Sequence, residues 1–231
     1  MPDTKRTPAK PSTTPTGDVA AFLAEARSLA PSNTSGRGRL IFALDATMSR
    51  QPTWDTAQRL QAEMFEEAGK VGSLDVQLVY FRGFNECRAS KWVSDTAGLR
   101  DLMTGIHVRA GNTQIGKVLG HARKETAKRK VDVLVYIGDA LEEEIDKLAA
   151  TAGELGMLGV RIFIFQEGRD ANVERGFREL ARLSRGAYAR FDPKAAGELA
   201  QLLRAAAVYA AGGLKALAKT AASPLLLAQL K

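Results

Sequence analysis

The chain has 231 residues, 45% apolar, 6% aromatic and 26% charged, and its 33 Lys and Arg against 26 Asp and Glu give a formal charge of +7. That length and apolar share suit one sizeable domain, with Ala, Leu, Val and Ile filling most of its core. The single cysteine, Cys87, excludes an internal disulfide and disfavours a cysteine-based zinc site. No apolar stretch reaches membrane-spanning length, and a positive surplus of this size permits contact with nucleic acid or an acidic protein without requiring either.

Residues 1–16 hold four of the eight prolines, with Thr and Lys between them, and are expected to be disordered. No secretory signal is visible, so the expected setting is the reducing cytoplasm. Residues 17–38 read as a short helix, capped by Asp18 and running to about Leu29, followed by a linker. A buried strand is expected from Leu40, emptying onto Asp45. A helix over Asp55–Gly69 follows, then a strand over Leu74–Arg82. The turn Gly83-Phe84-Asn85 leads into an antiparallel edge strand over Glu86–Val93. Cys87 fits there as a small apolar filler.

A short helix over Thr96–Gly105, a loop around Arg109–Thr113 and a helix over Gln114–Lys128 precede the most strand-like run, Val131–Ile137, which ends on Gly138-Asp139. A helix over Leu141–Leu155, a strand over Val160–Phe165, a helix over Ala171–Leu183 and a strand over Ala187–Phe191 come next. The helix Lys194–Ala210 is closed by Gly212-Gly213. The Ala/Leu-rich tail from Leu214 to Lys231 is expected either to pack on the domain or to offer an apolar face to a partner. Alternating strands and helices predict an α/β fold: a doubly wound, mostly parallel six-stranded sheet with one antiparallel edge strand and helices on both faces. Right-handed crossovers place the carboxyl ends of the strands along one rim.

Two strands end on Asp, at Asp45 and Asp139, and in such a sheet these neighbour each other at the switch point where ligands bind. Asp45, Thr47 and Ser49 put three oxygen-bearing side chains at one strand end, and Thr113 can reach the same rim. Oxygen donors suit a hard divalent cation, although Asp followed by Ser or Thr is also a helix-capping pattern. Three neutral hydroxyls and two carboxylates leave such a cation with little protein charge and a preference for one more anionic oxygen from outside.

Asp45-x-Thr47-x-Ser49, then Gly111-Asn112-Thr113-Gln114-Ile115-Gly116-x-Val118-Leu119, then Val131–Ile137 ending at Asp139, resembles the von Willebrand factor type A (VWA) domain family, in strand order and motif order over about 39–210. The likeness suggests an intracellular, bacterial-type single-domain member with the VWA/Rossmann-like domain at 39–213. It implies a metal-ion-dependent adhesion site, or MIDAS. Thr47, Ser49 and Thr113 would bind Mg²⁺ directly, with Mn²⁺ or Ca²⁺ as alternatives. Asp45 and Asp139 would act directly or through water, and a partner's Asp or Glu would take the open position. Thr47 stands where the family usually has Ser, keeping the hydroxyl, and Ala140 stands where Gly is common.

Rival motifs are weaker. Gly111–Lys117 is a near miss to a phosphate loop, with Val118 where a Ser or Thr is needed. His107 and His121, the only histidines, sit in no pattern that pairs them with a nucleophile. The basic cluster Lys117, Arg123, Lys124, Lys128, Arg129 and Lys130 lacks interleaved aromatics. Glu142, Glu143 and Glu144 read as the first turn of the helix after Asp139, with acidity near the metal as the lesser reading. The leading expectation is a non-enzymatic, metal-ion-dependent protein-binding adaptor. A nucleic-acid-associated (RNA) VWA protein is the alternative, and a metal-dependent hydrolase a more distant one.

Overall fold

The computed structural model describes residues 37–51, 74–94, 103, 105–191, 196–218 and 229. The helices expected over 18–29 and 55–69, most of that over 96–105, and the tail over 1–16 lie outside the described residues. Six strands form one sheet in the order β3-β2-β1-β4-β5-β6. Here β1 is Gly38–Asp45, β2 Leu74–Arg82, β3 Glu86–Ala89, β4 Val133–Gly138, β5 Arg161–Glu167 and β6 Ala187–Phe191. Every pairing is parallel except that of β3 with β2.

The central strands are apolar on both faces because both faces are covered. From β1, Leu40, Phe42 and Leu44 point into one core layer, which the helix Ala196–Ala218 closes with Leu203, Ala206 and Ala210. Ile41 and Ala43 point into the other. That second layer is closed by α1 (Ile115–Lys128), α2 (Ile145–Met157) and α3 (Ala171–Leu183), through Val118, Leu148, Phe177 and Leu180. Asp170 caps α3 by accepting the Asn172 and Val173 N–H groups, a contact worth about 1 kcal/mol.

Several boundaries differ from the sequence expectation. The edge strand β3 stops at Ala89, and only an isolated bridge, Val76 to Val93, continues it. The fourth strand carries on to Gly138, leaving Asp139 just beyond the sheet. The helix expected from Leu141 begins at Ile145, because the preceding glutamates are used elsewhere.

The last described helix, α4 (Ala196–Ala218), is interrupted at Gly213, whose φ of 65° and ψ of −164° separate two helical pieces. Beyond that break Leu217 is fully buried in the first core layer, so the start of the tail packs on the domain. Near its end, the Gln229 side chain accepts the Tyr188 N–H and donates to the Tyr188 carbonyl, both at 2.7 Å, filling backbone positions on the outer edge of β6. None of the described helices is long and apolar enough to cross a membrane.

Candidate metal centre

The order of the sheet reverses between β1 and β4, and the strands on either side of that crevice deliver Asp45 and Asp139 to the same rim. At the first loop, Asp45 Oδ1 accepts the Thr47 N–H at 2.8 Å, a local turn that Asp forms readily. Thr47 and Ser49 hydroxyls lie 3.1 Å apart. A single 3₁₀ turn, Met48–Arg50, then carries Arg50 under the loop. Arg50 is fully buried; it donates to the Asp45 carbonyl at 3.0 Å and, through Nε and Nη2, to Glu167 at the end of β5.

The second loop lies against the first. Arg109 N–H donates to the Ala46 carbonyl at 3.0 Å, and Thr47 and Arg109 form a parallel bridge. Gly111 presses on the β2–β3 turn so closely that a Cβ there would stand 2.0 Å from the Gly83 carbonyl oxygen. Gln114 Nε2 donates to the carbonyls of Arg82 and Gly83. Thr113 is buried, with its N–H donating to Glu142 Oε2 at 2.7 Å and its hydroxyl accepting the Glu142 N–H at 3.1 Å. Glu143 accepts the Ile115 and Gly116 N–H groups and so caps α1. That carboxylate occupies the helix N-terminus a phosphate would use, a second mark against the phosphate-loop reading.

The glutamates after Asp139 therefore do not open a helix as expected. Two of them cross to the Thr113 loop, and α2 starts after them. The sequence offered no spacing signal for this contact, because it joins residues 27–29 positions apart.

At the centre, Asp45 Oδ2 and Asp139 Oδ1 are buried with no hydrogen-bond partner, as is the Tyr136 hydroxyl beside them. Burial raises the Asp45 carboxyl to about 6; the Thr47 hydrogen bonds and Arg50 oppose the rise, and Asp139 adds to it. Tyr136 is pushed well above its ordinary value, first by burial and then by Asp45. Two carboxylate oxygens without donors, among hydroxyls, are the donor set a hard cation takes. Among the described residues no group of three His, Cys, Asp or Glu is placed to hold a metal, so any such site draws on the hydroxyls.

Elsewhere, most of the basic cluster is paired. Arg123 meets Glu154, Lys128 meets Glu125, Arg129 meets Asp75 and Lys130 meets Asp132. His121 bonds Gln77 at 2.8 Å, and His107 is exposed, its carbonyl accepting from Arg82. Cys87 is partly buried against the second core layer, and burial raises its thiol, as befits a filler.

No family model and no curated protein matches the chain. Solved structures do. An aerotolerance-related membrane protein from Bacteroides fragilis matches at 20% identity and a TM-score of 0.57, over 72% of this chain and 98% of its own. The SpRpn10 VWA domain matches at 13% identity and a TM-score of 0.58, over 71% of this chain and 94% of its own. Proximal thread matrix protein 1 from the mussel byssus, with a zinc-occupied MIDAS motif, matches at 14% identity and a TM-score of 0.61, over 78% of this chain and 48% of its own. The chain thus has the VWA fold.

Proposed function

We propose that this VWA-fold domain is a divalent-cation-dependent protein-binding module in which Asp45, Thr47, Ser49, Thr113 and Asp139 hold the ion. The observation that carries the reading is the pair of buried, partnerless carboxylate oxygens on Asp45 and Asp139, which close the neighbouring strands β1 and β4 at the switch point. When bound, the cation supplies an electrophilic position for a carboxylate from outside. Mg²⁺ is the first choice for an all-oxygen set; Mn²⁺, Ca²⁺ and the zinc held by the mussel protein's motif complete the series to be titrated.

The partner offers an acidic side chain. Arg82, Arg88 and Arg109 all gather on the one carboxylate of Glu86, leaving a positive excess beside the second loop. Met48, between two of the hydroxyl residues, is about half exposed and gives the acidic contact an apolar neighbour. The ion pairs across the basic cluster favour a protein partner over nucleic acid. His121 is engaged by Gln77 rather than by the rim carboxylates, which favours binding over hydrolysis.

The test is calorimetric titration with Mg²⁺, joined to affinity capture from lysate with and without chelator. Wild type should bind the ion and release its partner on chelation, while Asp45→Ala should fold, bind no ion and capture nothing. Capture that persists through both chelation and Asp45→Ala ends the proposal.

A further inference from the structure

Resting on the cation-site reading above, we infer that Tyr136 is a positioning residue of that site, its hydroxyl donating through one water to the carboxylates of Asp45 and Asp139 once the ion is bound. Tyr136 is 2% exposed and its hydroxyl has no hydrogen-bond partner. A buried hydroxyl left unmet is destabilising, and Phe would fill the same apolar space without that cost. The ring itself is fully accounted for, stacked on Phe81 at 6.3 Å and met edge-on by Phe177 at 5.5 Å. Only the oxygen needs explaining.

The register says where that oxygen goes. Tyr136 pairs with Ala43 on β1, on the face closed by α1, α2 and α3. One step further along each strand on the same face stand Asp45 and Gly138. Gly138 has no side chain, and the phenol lies along it: a Cβ there would meet the Tyr136 oxygen at 2.4 Å. The small residue thus lets the hydroxyl advance to the rim, next to Asp45 and one residue from Asp139. Three buried oxygens without partners then share one place, two of them acceptors and one a donor. A carboxylate oxygen has two lone pairs, so one that faces a cation can still accept from a donor on its other side, and loss of such a donor lowers metal affinity about ten-fold or more.

The test is Tyr136→Phe in the full chain, with three readouts. By calorimetry, Mg²⁺ affinity should fall about ten-fold relative to wild type. In chelator, the thermal midpoint should be unchanged or higher, because an unmet hydroxyl has been removed; a purely structural hydroxyl would instead lower it. With Tb³⁺ in place of Mg²⁺, emission sensitised by excitation in the tyrosine band should drop in the variant, as expected if the ring stands beside the ion. Unchanged Mg²⁺ affinity in the variant, with wild type binding normally, overturns the role of Tyr136 and leaves the cation site standing. A lowered midpoint in chelator also overturns it. Absence of binding by wild type overturns both.

Discussion

Thr113 and Glu142 exchange two hydrogen bonds, the N–H of each residue meeting a side-chain oxygen of the other. The exchange ties the loop before α1 to the loop after β4, and so fixes the Thr113 hydroxyl relative to Asp139. Glu142→Ala should cost about 1–2 kcal/mol of stability, seen as a lowered denaturation midpoint, and should weaken Mg²⁺ binding. Glu142→Gln keeps an oxygen acceptor and the backbone donor and should stay near wild type in both. A loss in Glu142→Gln as large as that in Glu142→Ala would show that the carboxamide cannot stand in for the carboxylate.

Asp45 places a carboxylate in a buried position where the charged form is disfavoured. Asp45→Asn retains an oxygen for the Thr47 N–H and removes the charge. In chelator near neutral pH the variant should therefore match or exceed wild type in thermal midpoint. With saturating Mg²⁺ the order should reverse, since only wild type gains the linked stabilisation of a bound ligand. A wild-type midpoint that does not respond to Mg²⁺ would count against the cation site.

Arg50 and Glu167 form a buried ion pair at 2.8 Å that also holds the Asp45 carbonyl. Arg50→Met removes the guanidinium from beside a buried carboxylate, at a cost of about 3–5 kcal/mol. Combining it with Glu167→Gln should recover a good part of that loss. Urea denaturation of the two singles and the double gives the coupling directly, and strict additivity would argue against an interaction between them.

His121 is half-buried against Gln77, and burial lowers its pKa below the ordinary value, with nearby Glu125 opposing. The unfolded chain therefore takes up a proton on this residue before the folded one does. The stability it contributes is fully present above the unfolded value of about 6.5 and is lost as pH falls below it. Thermal midpoints measured from pH 8 to pH 5 should fall less steeply for His121→Gln than for wild type. Parallel curves would show that other groups set the slope.

The sheet was legible because its strands announce themselves: β1 and β4 are runs of buried apolar residues, each leading to an Asp, and the span of α3 follows directly from its Asp170 cap and apolar period. What escaped was long-range. Glu142 and Glu143 have the composition of a first helical turn, and their capture by Thr113 and α1 depends on folded loops meeting. Arg50 reads as a surface residue after a strand, and it is the position of Glu167, four strands later in the chain, that pairs with it in the interior. Tyr136 reads as a core aromatic; its oxygen becomes conspicuous only through the gap that Gly138 leaves.

The amide of Gln229 on Tyr188 has a consequence for how the molecule behaves in a crowd. The outer rim of β6 is a place where a stranger's strand would dock, and here the protein meets part of it with its own side chain. A plug carried on the same polypeptide works at an effective concentration of roughly millimolar, however dilute the sample. An intruding strand must displace it first, so resistance to edge-to-edge clumping is written into Gln229 rather than into the sheet.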